Sequence, residues 1–284
     1  MIRIFGTIFA GLLGLAFGSF LNVCLSRWPE GESVVAPRSH CRICDHTLSW
    51  WENIPVVSWL ALRGHCRNCH TPIGWRYPLV ELAVGALWAV AAWRSYDALF
   101  PLASAAGMMF LIWVLVGLAA MDAELLWLPD AVTLPGIAVG FIWWFLEQEQ
   151  AAWALHLPHS AGQDAQEAGK RLLAIAVAAL IILIIRWTYQ LIRHREGIGL
   201  GDAKLMALVA AWLGLPGALL TFALGAVLGA FAAIVLLAVP AARRDSETWA
   251  AAKLPLGTFL CIGGAVSALW DQQIIAAYLR WSGF

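Results

Sequence analysis

Four cysteines in the first quarter of the chain form two C-x-x-C pairs. Cys41-Arg-Ile-Cys44 is followed, after 21 intervening residues, by Cys66-Arg-Asn-Cys69. Each pair can direct two thiolates at one ion, and four sulfur ligands complete the tetrahedral shell of zinc without leaving an open position. We therefore predict a structural zinc site with Cys41, Cys44, Cys66 and Cys69 as its ligands.

Two alternatives stay open for this cluster. The thiols could form disulfides or stay unpaired, although stable disulfides are rare in the reducing cytoplasm, where the charge distribution described below places the loop. A neighbouring histidine could also replace a thiolate, and the candidates are His40, His46, His65 and His70. The other two cysteines, Cys24 and Cys261, lie in apolar runs, where cysteine usually behaves as a small buried apolar residue.

Two aspartates at the ends of apolar segments form a second candidate site. Asp122 closes one segment in Met-Asp122-Ala-Glu124, and Asp202 opens another in Gly199-Leu-Gly201-Asp202-Ala-Lys204. Ionisable groups beside hydrocarbon are costly, so each is a functional candidate. Two carboxylates brought together in a partly dry site share one proton, so that one acts as a base toward water and the other as an acid. The pair predicts aspartic protease chemistry, with the two roles not assigned to individual residues.

Each aspartate also has a structural interpretation. Asp202 could cap the N-terminus of the helix that it opens, which is a position that aspartate favours, and Asp122 could mark the lipid boundary. Lys204 could extend its ammonium group toward lipid headgroups. As functional alternatives, we predict substrate contacts at Gly199 and Gly201, where the backbone can approach a peptide closely, and at Lys204.

The segment from residue 122 to 130 has several acids and no Lys or Arg. Glu124 and Asp130 could therefore attract a basic part of a substrate. This expectation rests on loop charge alone.

The composition places these candidates in a membrane protein. Of 284 residues, 61% are hydrophobic and 13% are charged, far from the balance of soluble domains. The formal net charge is zero, so the chain has no global basic field for nucleic acid, and we expect no nucleic-acid partner. The first apolar run lacks the cleavage site of a signal peptide, so we interpret it as a retained membrane helix. We find no internal repeat.

Apolar runs of about 20 residues can cross the hydrocarbon core of a bilayer. The sequence predicts an all-α polytopic membrane protein with about eight spans, near residues 4–24, 78–94, 100–121, 131–147, 171–191, 203–214, 217–239 and 254–271. The many tryptophans near the predicted span ends are typical of an interfacial belt, so the lipid bilayer is an expected partner.

The positive charges of the loops predict the orientation of these spans. One set of loops carries twelve: Arg27, Arg38, Arg42, Arg63, Arg67, Arg76, Arg193, Arg195, Lys204, Arg243, Arg244 and Lys253. The other side carries five: Arg3, Arg94, Lys170, Arg171 and Arg280. We therefore expect cytoplasmic loops at 25–77, 122–130, 192–203 and 240–253, and both termini outside the cytoplasm.

Several blocks of the chain resemble the type IV prepilin peptidase family. They are Gly18-Ser-Phe-Leu-Asn22, Ser39-His-Cys41 with Asn53-Ile-Pro55 and Arg63-Gly64, Arg76-Tyr-Pro78 with Glu81, Asp122 seven residues before Pro129, and Gly199 to Lys204 as G-x-G-D-x-K. The blocks occur in the family's order and extend over most of the chain. Glu124 stands where many members have a second acid, and Trp127 occupies a usually aliphatic position.

The resemblance implies an enzyme of the bacterial inner membrane with its active site at the cytoplasmic face. Its catalytic pair falls on Asp122 and Asp202, and its substrates are type IV prepilins or type II secretion pseudopilins. Members with the four-cysteine loop commonly remove a basic leader and then methylate the new amino terminus with S-adenosylmethionine, so both activities are expected here. Glu81 is a weak candidate for contact with this cofactor.

These expectations divide the chain into a first membrane helix (1–25), a cytoplasmic zinc-binding domain linked to methyl transfer (26–77) and a membrane protease core (78–284). Two other functional classes stay open. A membrane methyltransferase without protease activity would use the aspartates for structure only. A scaffold or transporter would use the zinc loop for docking, although transport sites usually lie near the bilayer midplane and not at its edge. The oligomeric state stays unknown.

Overall fold

The chain folds almost entirely into helices. The computed structural model describes residues 1–156, 161–194, 199–238 and 254–283, and within these ranges the only β structure is two isolated bridges. The α-helices of this part of the chain are α1 (Ile2–Arg27), α2 (Val57–Ala61), α3 (Arg76–Ser95), α4 (Pro101–Leu125), α5 (Asp130–Ala154), α6 (Ala161–Arg193), α7 (Leu200–Ala238) and α8 (Leu256–Ser282). The predicted cytoplasmic loop at 240–253 lies wholly outside the described residues.

Six of the described helices are long and apolar enough to cross a membrane, namely α1, α4, α5, α6, α7 and α8. The expected all-α membrane architecture is confirmed, but the count of eight spans is not. The predicted span at 78–94 is helical in α3, but α3 is not among the six. The predicted spans at 203–214 and 217–239 both lie within α7.

Helix α7 leaves helical geometry at one residue. Gly214 has φ 72° and ψ −176°, and helical backbone continues on both sides of it. A side chain would disfavour this positive φ, which glycine adopts freely. The break coincides with the turn that the sequence predicts at Gly214-Leu-Pro216. It lies between the two predicted spans at 203–214 and 217–239.

The chain forms two compact units, Met1–Ala120 and Met121–Phe284. In the first unit, α1 packs along α3. The two helices approach closely at Gly18, where an added Cβ atom would lie 2.7 Å from the Cα atom of Glu81. Small residues permit such contacts between apolar helices. The predicted domain boundaries at residues 25 and 77 stay a prediction.

Helix α7 is the centre of the second unit, where it packs against α5, α6 and α8. The contact with α8 is close, because a Cβ atom at Gly263 would lie 2.7 Å from the carbonyl oxygen of Thr221. On the other side, the indole of Trp212 donates a hydrogen bond to the carbonyl oxygen of Gly136 in α5 (3.1 Å). These contacts hold α7 against α8 and α5.

The loop between α1 and α3 contains two similar hairpins, although the sequence analysis finds no internal repeat. The hairpins have equivalent closing bonds, namely Leu48 N to Ser39 O and Cys41 N to His46 O in the first, and Ile73 N to Gly64 O and Cys66 N to Thr71 O in the second. The residue after each C-x-x-C pair, Asp45 or His70, has a positive φ. The pattern Arg-x-His-Cys-Arg-x-Cys recurs 25 positions later, and this is the signal that could have predicted the repeat.

Candidate active site and metal centre

Asp122 lies in the last turn of α4 and is held by the start of α8. Asp122 is buried, with only 6% of its surface exposed. One carboxylate oxygen, Oδ2, accepts hydrogen bonds from the backbone N–H of Thr258 (2.6 Å) and from the Thr258 hydroxyl (3.1 Å). These bonds fix the position of the carboxylate and stabilise its charged form.

Asp202 lies in the first turn of α7 and is also buried. Its Oδ2 atom accepts a hydrogen bond from the backbone N–H of Gly199, three residues earlier (3.1 Å). This contact resembles one half of a capping box, in which an acid in the first turn binds the N-cap amide. The capping interpretation and the catalytic one are therefore compatible, because one carboxylate can make this contact and still face a partner.

The structure brings Asp122 and Asp202 together from segments 80 positions apart in the chain. The two carboxylates are close enough for the charge of one to act on the other, and Cys261 is near both of them. Leu128 fills the space beside them, since it contacts the Cβ positions of both Gly201 and Gly257. A buried, interacting pair of carboxylates next to apolar walls is an arrangement that can activate water for hydrolysis.

Two residues of this site were missed by the sequence analysis. Thr258 binds Asp122, and at Gly257 an added Cβ atom would lie 2.9 Å from the carboxylate oxygen of Asp122. The only signal was the position of the Gly-Thr pair at the start of a predicted span. That signal does not indicate which side chain the pair would meet.

The predicted substrate contacts lie around the same end of the second unit. Gly199 and Gly201 flank the start of α7 beside Asp202, while Gly197 lies outside the described residues. Lys204 forms an ion pair with Asp130 at the start of α5 (2.5 Å). Glu124 is exposed. The charge of Asp130 is compensated by Lys204.

The four paired cysteines come together in the first unit. All four sulfur atoms lie within 4.8 Å of one another, with Cys41 Sγ 3.7 Å from Cys69 Sγ and Cys44 Sγ 4.0 Å from Cys66 Sγ. Sulfur ligands of a tetrahedral zinc ion lie about 3.8 Å apart, given a Zn–S bond of about 2.3 Å. The donor set and its spacing therefore fit zinc, and no disulfide joins these cysteines.

Electrostatics of the cluster favour a bound cation. The Thr71 hydroxyl, 3.2 Å from Cys69 Sγ, and the Thr71 backbone lower the pKa of the Cys69 thiol to about 6. Although a backbone hydrogen bond from Ile43 lowers the pKa of Cys41, burial and nearby thiols such as Cys66 raise it to about 11. A thiolate is therefore easily formed at Cys69, whereas burial opposes one at Cys41, and a bound cation would stabilise both.

Among the described residues, the group that could hold a metal consists of the four cysteines and includes no histidine. The Nδ1 atoms of His40 and His65 lie within hydrogen-bond distance of the carbonyl groups of Arg38 and Arg63 (2.9 and 2.7 Å). These contacts are equivalent in the two hairpins.

Glu81 is buried on α3, where it anchors the loop that follows the first hairpin. Its Oε2 atom accepts a hydrogen bond from the backbone N–H of Val56 (2.7 Å). Val56 has φ 62°, a conformation that is rare for a β-branched residue. Backbone strain of this kind is often found near functional sites.

Two family models match this chain. The family model described as "Bacterial Peptidase A24 N-terminal domain" matches residues 12–95, and the model described as "Type IV leader peptidase family" matches residues 109–234. Two curated relatives have the name "Prepilin leader peptidase/N-methyltransferase". The one from Stutzerimonas stutzeri is 33% identical over 95% of this chain and 93% of its own length. The one from Pseudomonas aeruginosa is 34% identical over 96% of this chain and 93% of its own length.

A third relative of the same name, from Pseudomonas putida, is 35% identical over 97% of this chain and 94% of its own length. No solved structure matches the chain significantly. Since the identity extends over nearly the whole of each relative, and both family models match, the chain belongs to the type IV leader peptidase family.

Proposed function

We propose that this chain is an aspartic endopeptidase of the bacterial inner membrane that removes the basic leader from type IV prepilins or type II secretion pseudopilins. It then methylates the new amino terminus. The observation that carries the proposal is the meeting of Asp122 and Asp202, two buried carboxylates from distant segments that interact electrostatically. The family membership and the names of the relatives support the same activity.

Hydrolysis by this pair follows from the proton that the two carboxylates share. The unprotonated carboxylate takes a proton from a water molecule while the water oxygen attacks the carbonyl carbon of the scissile peptide bond, and the protonated one donates its proton to the carbonyl oxygen. When the tetrahedral intermediate collapses, the C–N bond breaks and a proton passes to the departing nitrogen. That nitrogen becomes the amino terminus of the mature substrate.

Leader recognition takes place at the cytoplasmic membrane face in this proposal. The excess of Lys and Arg in one set of loops supports that side for the end of α4 and the start of α7, in the eight-span arrangement expected from the sequence, in which α3 crosses the membrane and α7 forms two spans. The even number of spans in that arrangement puts both termini in the periplasm. The substrate backbone lies beside Gly199 and Gly201, and Lys204, Glu124 and Asp130 contribute charge nearby.

The first unit carries the second activity. Zinc bound by Cys41, Cys44, Cys66 and Cys69 joins the two hairpins of a loop that has little apolar core of its own. S-adenosylmethionine, as the methyl donor, supplies an activated methyl group for transfer to the new amine. Glu81, beside this loop, contacts the donor.

A paired assay on one prepilin peptide in detergent tests the proposal. Asp122→Asn and Asp202→Asn should each lower the rate of leader removal by about 10³-fold or more, because neither variant retains a dyad that can share a proton. Ser95→Ala, a buried change far from both aspartates in the sequence, is the matched control.

Methylation of a substrate that already lacks its leader is measured with the same variants and should continue. If neither the wild type nor the Asn variants remove the leader while methylation proceeds, the chain is a membrane methyltransferase without protease activity.

A further inference from the structure

A cavity of about 300 Å³ lies within the first unit, between α1, the cysteine loop and α3. Its volume is within the range of sites for small organic ligands. Its walls include Asn22 from α1, His46 and Glu52 from the first hairpin region, and Tyr77 and Glu81 from α3. The cavity is separate from the aspartate pair, whose residues all belong to the second unit.

Two wall atoms lack a hydrogen-bond partner among the described residues, Asn22 Oδ1 and His46 Nε2. Asn22 is only 3% exposed, and its Nδ2 atom donates a hydrogen bond to the carbonyl oxygen of Tyr77 (2.9 Å). This bond fixes which end of the amide is the donor, since a flipped amide would point an oxygen at a carbonyl group. Asn22 Oδ1 is then a buried acceptor without a hydrogen-bond partner among the described residues, and such an atom is costly unless a ligand or water donates to it.

The other polar groups of the wall favour a cation as that donor. Glu81 and Glu52 are both buried carboxylates, and His46 Nε2 lies 3.5 Å from Glu52 Oε2. Burial alone would raise the pKa of Glu52, but hydrogen bonds from Ser49 and the nearby ring of His46 outweigh it and lower that pKa below its usual value. Glu52 is therefore charged at neutral pH.

The arginines of the wall are committed to other partners. Arg27 donates three hydrogen bonds to backbone carbonyl groups of the following loop. Arg42 forms two ion pairs with glutamates of that loop, and Arg67 lies over the ring of Trp51, with 4.9 Å to its centroid. The cavity thus presents an unsatisfied acceptor, Asn22 Oδ1, together with two buried carboxylates that each accept a backbone hydrogen bond, whereas its arginines are already bound.

We propose that this cavity is the binding site of the methyl donor, with the cationic methionine end of S-adenosylmethionine against Asn22 Oδ1 and the carboxylate of Glu81. The inference rests on the proposed methyl transfer, and it adds a location and a binding residue, Asn22. The α-ammonium and the sulfonium of the donor are the positive groups that such a wall would select over a neutral or anionic ligand. Tyr77 and Trp59, which also line the cavity, offer aromatic surface to the adenine.

The test is the affinity of the full-length chain for tritiated S-adenosylmethionine, measured by equilibrium dialysis of zinc-loaded protein in detergent. Asn22→Leu removes the unsatisfied acceptor at similar volume, and Glu81→Gln removes the charge while an amide oxygen can still accept from Val56. Each should weaken binding at least tenfold. Ser95→Ala, which is buried in α3 but does not line the cavity, should bind like the wild type.

Asn22→Asp distinguishes the role of the Oδ1 acceptor from the role of the hydrogen bond that Nδ2 donates to Tyr77. It keeps the acceptor and loses the donation to Tyr77, so it should bind the donor as tightly as the wild type or more tightly. If Asn22→Asp and Asn22→Leu lose affinity together, or if Asn22→Leu binds normally with unchanged zinc content, the cavity is not the donor site. If the wild type itself binds no S-adenosylmethionine, the proposed methyl transfer fails as well.

Discussion

Thr258 donates two hydrogen bonds to one oxygen of Asp122, from its backbone N–H at 2.6 Å and from its hydroxyl at 3.1 Å. The first turn of α8 thereby holds a carboxylate that belongs to the last turn of α4. Because a catalytic carboxylate must be placed within a fraction of an ångström, we infer that Thr258 is a positioning residue for Asp122.

Thr258→Val tests this role, because it removes the hydroxyl and keeps both the backbone N–H and the branched shape. One hydrogen bond to a charged group is lost, which corresponds to about a tenfold lower kcat for leader cleavage, with little change in KM. Thr258→Ser is the matched variant that retains the hydroxyl and should recover most of the rate. Equal losses in the two variants would mean that the methyl group, and not the hydroxyl, matters.

Gly257→Ala should displace the carboxylate of Asp122 through a steric clash. The added Cβ atom would lie 2.9 Å from Asp122 Oδ2 and 3.0 Å from the Cδ1 atom of Leu128, so at least one of them must move. We expect at least a tenfold lower rate of leader cleavage.

Gly229→Ala in α7 is the control for a helical glycine in the same unit, because its Cβ position is 3.4 Å from the nearest atom and causes no clash. A fully active Gly257→Ala variant would show that the dyad does not depend on this close approach.

The candidate site illustrates what one sequence can predict. Asp122 and Asp202 could be selected because a charged residue at the end of an apolar run is conspicuous, whatever the fold. Thr258 and Gly257 are common residues at a helix start, and they acquire their role only when α8 meets α4. Gly214 shows the same limit at the level of the helices, since local signals predicted a turn there but not that helical backbone resumes on both sides.

The ion pair between Lys204 and Asp130 makes the electrostatic attraction of the leader testable. We expect Lys204→Met to lower KM for a basic leader peptide about two- to fivefold, because Asp130 would then keep its full charge for the substrate. Asp130→Asn and Glu124→Gln should raise KM by a similar factor. All three effects should shrink at high salt, since the groups are partly or fully exposed. KM values that are the same for every variant at low salt would exclude a leader contact at these residues.

Substitution of one zinc ligand should lower the zinc content of the protein and loosen the loop that the metal holds together. Cys69→Ser and Cys44→Ser are each expected to reduce bound zinc well below one ion per chain, as measured by mass spectrometry of the purified protein. Because the two hairpins are joined through the four sulfur atoms, proteolysis between residues 28 and 75 should become at least about tenfold faster. Cys24→Ala, a buried cysteine of α1 outside the cluster, should keep both the zinc and the protease resistance of the wild type. A wild-type protein without metal but with two disulfides would contradict the zinc assignment, whereas full zinc content in both serine variants would move the metal to other ligands.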